Sequence, residues 1–152
     1  MTSRPAITDI RFHAAPGPTG VDLRPTLRCR KLRPKPDSCD YELQVSIRNV
    51  GTEMAPNYEA EVRFPKVLVT RELGVMCVGE TETQTHRIYH VQEPFSISAG
   101  AQPVVLPILY FRAEPGPCGA AALEQHAEVT VNAPGMKGSR KDKKRIRDLT
   151  SS

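Results

Sequence analysis

The chain of 152 residues has no tryptophan and only 5% aromatic residues. So few rings cannot build a broad stacking platform, which argues against recognition of sugars or unpaired bases by stacking. Long hydrophobic runs are also missing. The longest apolar patch, Val104 to Phe111, is short and interrupted by Pro107, too little to span a bilayer. The opening Met1-Thr2-Ser3-Arg4-Pro5 leads into no apolar stretch, so no secretion signal is expected and the cytoplasm is the expected location. The glycines form neither GxGxxG nor a P-loop pattern, and no serine sits in GxSxG. No cofactor is therefore expected, and a non-enzymatic role is the expectation.

The four cysteines, Cys29, Cys39, Cys77 and Cys118, include no CxxC pair, which leaves a structural zinc site without support. Reduced thiols are expected, with a Cys29–Cys39 bridge across one short loop as the alternative. His86 and His90 share a strand face, but four residues of strand put their Cα atoms about 13 Å apart, too far for one metal ion on a straight backbone. Cys77 near either histidine lacks an orienting third group and an oxyanion element at a recognisable spacing, so a nucleophile–base pair is not the expected reading.

What is abundant is alternation. Tyr41-Glu42-Leu43-Gln44-Val45-Ser46-Ile47-Arg48 and Tyr58-Glu59-Ala60-Glu61-Val62-Arg63-Phe64 both place apolar and polar residues at period two. That is the pattern of strands with one face on a core and one in water. Turn chemistry separates them, at Asn49-Val50-Gly51 and Met54-Ala55-Pro56-Asn57. Ile7 to His13 and Leu23 to Leu32 read as earlier strands, the second with Leu27 and Cys29 inward, Thr26, Arg28 and Arg30 outward, and Pro25 near its start or on an edge. Further strands are expected near Val67 to Val69, at Thr85 to Val91, at Phe95 and Ile97, and at His126 to Ala133. Val104 to Arg112 reads as a central strand, and Gly74 to Thr83 is ambiguous. The 14 prolines favour loop-rich β architecture over long helices. The expected fold is all-β: an immunoglobulin-like antiparallel sandwich of about seven to eight strands, spanning residues 5–134.

Charge is uneven along the chain. The net +4 hides a basic block at residues 23–36, an acidic body at residues 37–135 with six basic and thirteen acidic side chains, and a basic segment from Met136 onward. Residues 135–152 hold only Met136, Ile146 and Leu149 as apolar anchors, so they are expected to be a disordered, flexible basic tail. The candidate contacts for an anion or nucleic acid are Arg24, Arg28, Arg30, Lys31, Arg33, Lys35, Lys141, Lys143, Lys144 and Arg145. The competing reading of the Arg24, Arg28, Arg30 stripe is cross-strand pairing with Glu42, Glu59 or Glu61.

The segment VSIRNVGTEMAPNYEAEVRFP resembles the "strand, Asn-x-Gly, x-x-x-Ala, strand" element of bacterial immunoglobulin-like modules, including CARDB domains. It is also similar to β-sandwich regions near the C-termini of bacterial putative DNA-binding proteins that carry a Schlafen-type AlbA domain. The resemblance implies an accessory domain whose partner is another protein or a neighbouring domain of a longer chain. Non-specific nucleic-acid association through the 24–35 block and the tail is the second expectation. No membrane insertion is expected.

Overall fold

The computed structural model describes residues 20–32, 39–72, 77–93, 96–113 and 121–151. Among them are nine strands: β1 (Leu23–Lys31), β2 (Cys39–Asn49), β3 (Tyr58–Pro65), β4 (Val69–Glu72), β5 (Cys77–Glu82), β6 (His86–Glu93), β7 (Val104–Ala113), β8 (His126–Asn132) and β9 (Arg140–Arg145). A 3₁₀ turn at Lys66–Leu68 joins β3 to β4, and a short helix, α1 (Ile146–Thr150), follows β9 directly. The strands form two antiparallel sheets, ordered β1-β2-β7-β4 and β5-β6-β3-β8-β9. The all-β sandwich expected from the alternation is the architecture observed. The strand expected at Ile7 to His13 lies outside the described residues. No described helix is long and apolar enough to cross a membrane.

Alternation decides which residues make the core. On β2 the inward set is Tyr41, Leu43, Val45 and Ile47, and on β3 it is Tyr58, Ala60, Val62 and Phe64, all buried. Val62 lies opposite Tyr89 on one side and Val129 on the other, so the apolar rows of three strands coincide. The two sheets meet at Phe111, which stacks on Tyr41 of its own sheet at 5.4 Å and tilts against Phe64 of the facing sheet at 4.8 Å. The near-continuous apolar run of β7 has a local cause. Gln44 pairs with Pro107 while Leu43 pairs with Leu109, so Ile108 is an inserted residue and the phase flips there. Leu106, Ile108, Leu109 and Phe111 are all buried as a result. The same bulge lets Pro107 sit in an interior strand.

The Asn-x-Gly corner is held by contacts that only those residues can make. Asn49 is fully buried; its Nδ2 donates to Glu53 O at 2.8 Å and Ile97 O at 3.0 Å, and its Oδ1 accepts from Gly51 N at 3.0 Å. A Cβ on Gly51 would lie 2.1 Å from Gly20 O, so no larger residue fits without moving backbone. Ala55, also fully buried, forms an isolated bridge to Ile97. The motif is a structural corner.

Residues 140–150 correct the expectation of a flexible basic tail. Arg140–Arg145 pair along β8, from Val131 opposite Arg140 to His126 opposite Arg145. Ile146 is fully buried and Leu149 is 6% exposed. The sandwich therefore extends past the expected boundary at residue 134. Asp142 Oδ2 accepts the Leu27 N–H at 2.7 Å, and Lys144 Nζ donates to Leu27 O at 2.8 Å. Leu27 lies on β1, an edge strand, so these side chains occupy backbone groups that the ladder leaves open. Because N–H and C=O of alternate residues point the same way, Pro25 also faces that edge, where its missing N–H costs no ladder bond. The expectation failed because it counted apolar residues and not backbone hydrogen bonds.

Val62→Asp is expected to abolish cooperative folding, since an unpaired buried charge costs about 3–5 kcal/mol; a thermal melt like that of the unaltered chain would show the strand phase to be wrong. Removing residues 140–152 is expected to cost about 3–6 kcal/mol from the burial of Ile146 and Leu149 alone. Urea denaturation checks this: an unchanged midpoint would restore the flexible-tail reading.

Candidate functional site

Polar side chains gather on the two outer sheet faces. On the four-stranded sheet, β1 and β2 present Arg24 opposite Arg48, Thr26 opposite Ser46, Arg28 opposite Gln44, and Arg30 opposite Glu42. The last pair is an ion pair at 2.5 Å. Burial opposes the ionisation of Glu42, but hydrogen bonds from Arg30 and Gln44 outweigh it and hold its carboxyl below the usual range. Arg24 bonds Asp22 at 3.1 Å. Arg28 and Arg48 are exposed and have no ion pair among the described residues. Like charges directly opposite on neighbouring strands are destabilising, so the Arg24–Arg48 pair is an unfavourable local choice within an otherwise consistent sheet.

The candidate residues thus separate. Arg30 pairs across the strands with Glu42, one of the partners the competing reading named, whereas Arg24 bonds Asp22, two residues back, and none of Glu42, Glu59 or Glu61. Lys31 is exposed at the end of β1. Arg33 and Lys35 lie outside the described residues. Lys144 is committed to Leu27 and Asp142. Arg145 and Arg147 both bond Glu124. Arg140 bonds the buried Asp22 at 3.0 Å. By alternation along β9, Lys141 and Lys143 point away from that seam, onto the outer face of the five-stranded sheet. Arg28 with Arg48, and Lys141 with Lys143, consequently lie on opposite faces of the sandwich.

Described residues line two hollows on the outer face of the five-stranded sheet. A small one of about 180 Å³ is lined by Glu59, Glu61, His90 and Thr130 among others, with His90 Nδ1 3.8 Å from Glu61. A larger open groove of about 430 Å³ lies between β3, β8 and β9 and is lined by Arg63, His86, Gln125, His126, Glu128 and Lys143, with Thr85 at its rim. His86 bridges the end of β3: its Nε2 is 2.8 Å from His126 O, and its Nδ1 is 2.8 Å from Thr85 Oγ1. A carbonyl only accepts, so Nε2 carries the proton and a neutral ring accepts the Thr85 hydroxyl at Nδ1. Among the described residues no group of three His, Cys, Asp or Glu side chains is placed to hold a metal ion. Sequence reasoning missed Arg63, Gln125 and His126, because the groove assembles residues from separate strands and only the register joins them.

Cys29 is a free thiol, so the Cys29–Cys39 bridge is not formed. Burial pushes its pKa up to about 12, against the pull of Lys144, which leaves it unreactive at neutral pH. Cys77 is on β5, opposite Val91.

No family model matches the chain, and no curated protein matches it. Among solved structures it is similar to part of an inactive mutant of a GH20 exo-β-N-acetylglucosaminidase from Vibrio harveyi, with 12% identity and a TM-score of 0.37 over 80% of this chain. The chain spans 17% of that protein's length. A likeness so distant carries no argument about activity.

The seam around Asp22 makes the protein sensitive to acid. Burial disfavours the Asp22 carboxylate, yet Arg24 and Arg140 outweigh that and lower its pKa from the ordinary 3.8. The folded form therefore binds this proton less readily than the unfolded chain. The stabilisation is complete above about pH 4 and is lost as pH falls through the lowered value. Asp22→Asn is expected to cost about 1–2 kcal/mol at pH 7, the low end for bonds to charged groups because both guanidinium partners are half in water. Chemical denaturation at pH 7 and pH 3 checks it: the variant's deficit shrinks at the lower pH, and a deficit equal at both would exclude the ion pair as the cause.

Proposed function

We propose that this chain is a non-catalytic, immunoglobulin-like interaction or accessory module of the type its Asn-x-Gly corner resembles, and that it docks an acidic protein partner or neighbouring domain. The observation that carries this reading is the outer face of β1 and β2. There Arg28 and Arg48 stand exposed without ion pairs among the described residues, beside Thr26, Ser46 and Gln44, with Val105 of β7 opposite Ser46 and 43% exposed. A flat sheet face with uncommitted cations and one apolar contact point suits a surface carrying carboxylates. The cost of placing Arg24 opposite Arg48 is recovered once a carboxylate sits between them.

The alternative, non-specific nucleic-acid association, draws less support. Four basic residues of the C-terminal segment, Arg140, Lys144, Arg145 and Arg147, are held by partners within the chain. Among the described residues, the uncommitted pairs Arg28 with Arg48 and Lys141 with Lys143 are on opposite faces, so a single strand cannot neutralise both in one continuous track. A localisation in the cytoplasm remains part of the proposal.

Titration with a glutamate-rich peptide and, separately, with single-stranded and duplex DNA at low salt distinguishes the readings. The peptide is expected to shift the amide signals of Thr26, Arg28, Ser46 and Arg48, and Arg28→Gln with Arg48→Gln is expected to remove the effect. DNA binding that is tighter than peptide binding, falls steeply with salt and involves both Arg28 and Lys141 would overturn the interaction-module reading in favour of the alternative.

A further inference from the structure

The groove on the five-stranded sheet contains an arrangement that the Arg28–Arg48 face does not explain. Arg63, Glu128 and Lys143 occupy one register row across β3, β8 and β9. None of the three has an ion pair among the described residues, although Arg63 and Glu128 are half-buried. Strand spacing puts the Cα atoms of Arg63 and Lys143 about 10 Å apart, so their long side chains can converge on one group above β8. Gln125 lines the same groove, with its Oε1 buried and without a hydrogen-bond partner among the described residues. His86, engaged at both ring nitrogens, fixes the groove's end wall.

We propose that this groove is a binding site for a carboxylate that carries a hydrogen-bond donor on the adjacent atom. The Arg63 fork and the Lys143 ammonium take the carboxylate. Glu128 is an acceptor with no side-chain partner among the described residues, and a hydroxyl, amine or amide N–H beside the carboxylate supplies it with a donor. Glu128 also sets the ligand's charge: with it, the row carries a single net positive charge, which suits a monoanion and disfavours a phosphate dianion. A volume of about 430 Å³ is within the range of small-ligand sites and accommodates one residue-sized group. A free hydroxy or amino acid and the C-terminal residue of a polypeptide share this chemistry. The site lies on the opposite sheet from Arg28 and Arg48 and does not rest on the partner proposed for that face.

The test is an NMR titration of the intact chain with lactate, acetate, inorganic phosphate, and an acetylated dipeptide with either a free or an amidated C-terminus. Lactate and the free dipeptide are expected to shift the Lys143, Gln125 side-chain and His126 signals with a Kd of about 1–10 mM. Acetate is expected to bind more weakly, and the amidated dipeptide not at all. Arg63→Gln and Lys143→Gln are each expected to weaken binding about tenfold or more, the size of a lost charge-assisted bond, while melting like the unaltered chain. If Arg63→Gln fails to fold, exposed Lys143 carries the test. Tighter binding of the free dipeptide than of lactate assigns a polypeptide terminus, and the reverse assigns a small acid. No shift at about 50 mM of any probe, phosphate binding as well as lactate, or unchanged binding in both variants would overturn the proposal.

Discussion

The sandwich depends on how the edge of β1 is closed. An edge strand leaves N–H and C=O groups facing outward, where they attract other chains or water. Here the Leu27 groups are taken by the carboxylate of Asp142 and the ammonium of Lys144, residues more than a hundred positions away in sequence. Two side chains of one sheet's edge thus stand in for a ladder between the sheets. Ile146 and Leu149 then cover the apolar end of the same seam, and Arg140 ties it to Asp22. On the opposite side Arg87 of β6 performs a comparable closure, bonding Glu72 of β4 at 3.0 Å and Glu82 of β5 at 2.5 Å.

This use of charge explains why the composition misleads about function. A segment with seven basic residues after Met136 suggests phosphate neutralisation. Folding commits Arg140, Lys144, Arg145 and Arg147 within the chain and turns Lys141 and Lys143 onto one face. Among the described residues, Arg28 with Arg48 and Lys141 with Lys143 stay uncommitted, as two small groups on opposite faces. Each suits a local acidic contact better than an extended polyanion.

The parts legible in the sequence were those where burial follows period two. Tyr41 to Arg48 and Tyr58 to Phe64 alternate cleanly because each strand has one dry and one wet face, and every inward residue named there is buried. Pro25 on an edge and the corner at Asn49-Val50-Gly51 were also legible, from proline's missing donor and glycine's missing Cβ. Strand β9 was not. Arg140 to Arg145 contains no apolar residue, and the pairing that orders it comes from β8 and from Leu27. The one available signal was the single acid Asp142 inside the basic run, followed by Ile146 and Leu149 at helical spacing. The groove was illegible for a related reason: Arg63, Gln125, His126 and Lys143 look like unrelated surface residues until the β3-β8-β9 register places them side by side.

The C-terminal strand closes the β1 edge through Leu27. Amide hydrogen exchange of Leu27 in the intact chain tests it most directly. The Leu27 amide is expected to be protected as strongly as those of Val45 and Val62 in the core strands, opening only when the whole domain unfolds. Exchange at the rate of an exposed edge amide, with Val45 and Val62 still protected, would contradict it and return residues 140–150 to the status of a loosely attached tail.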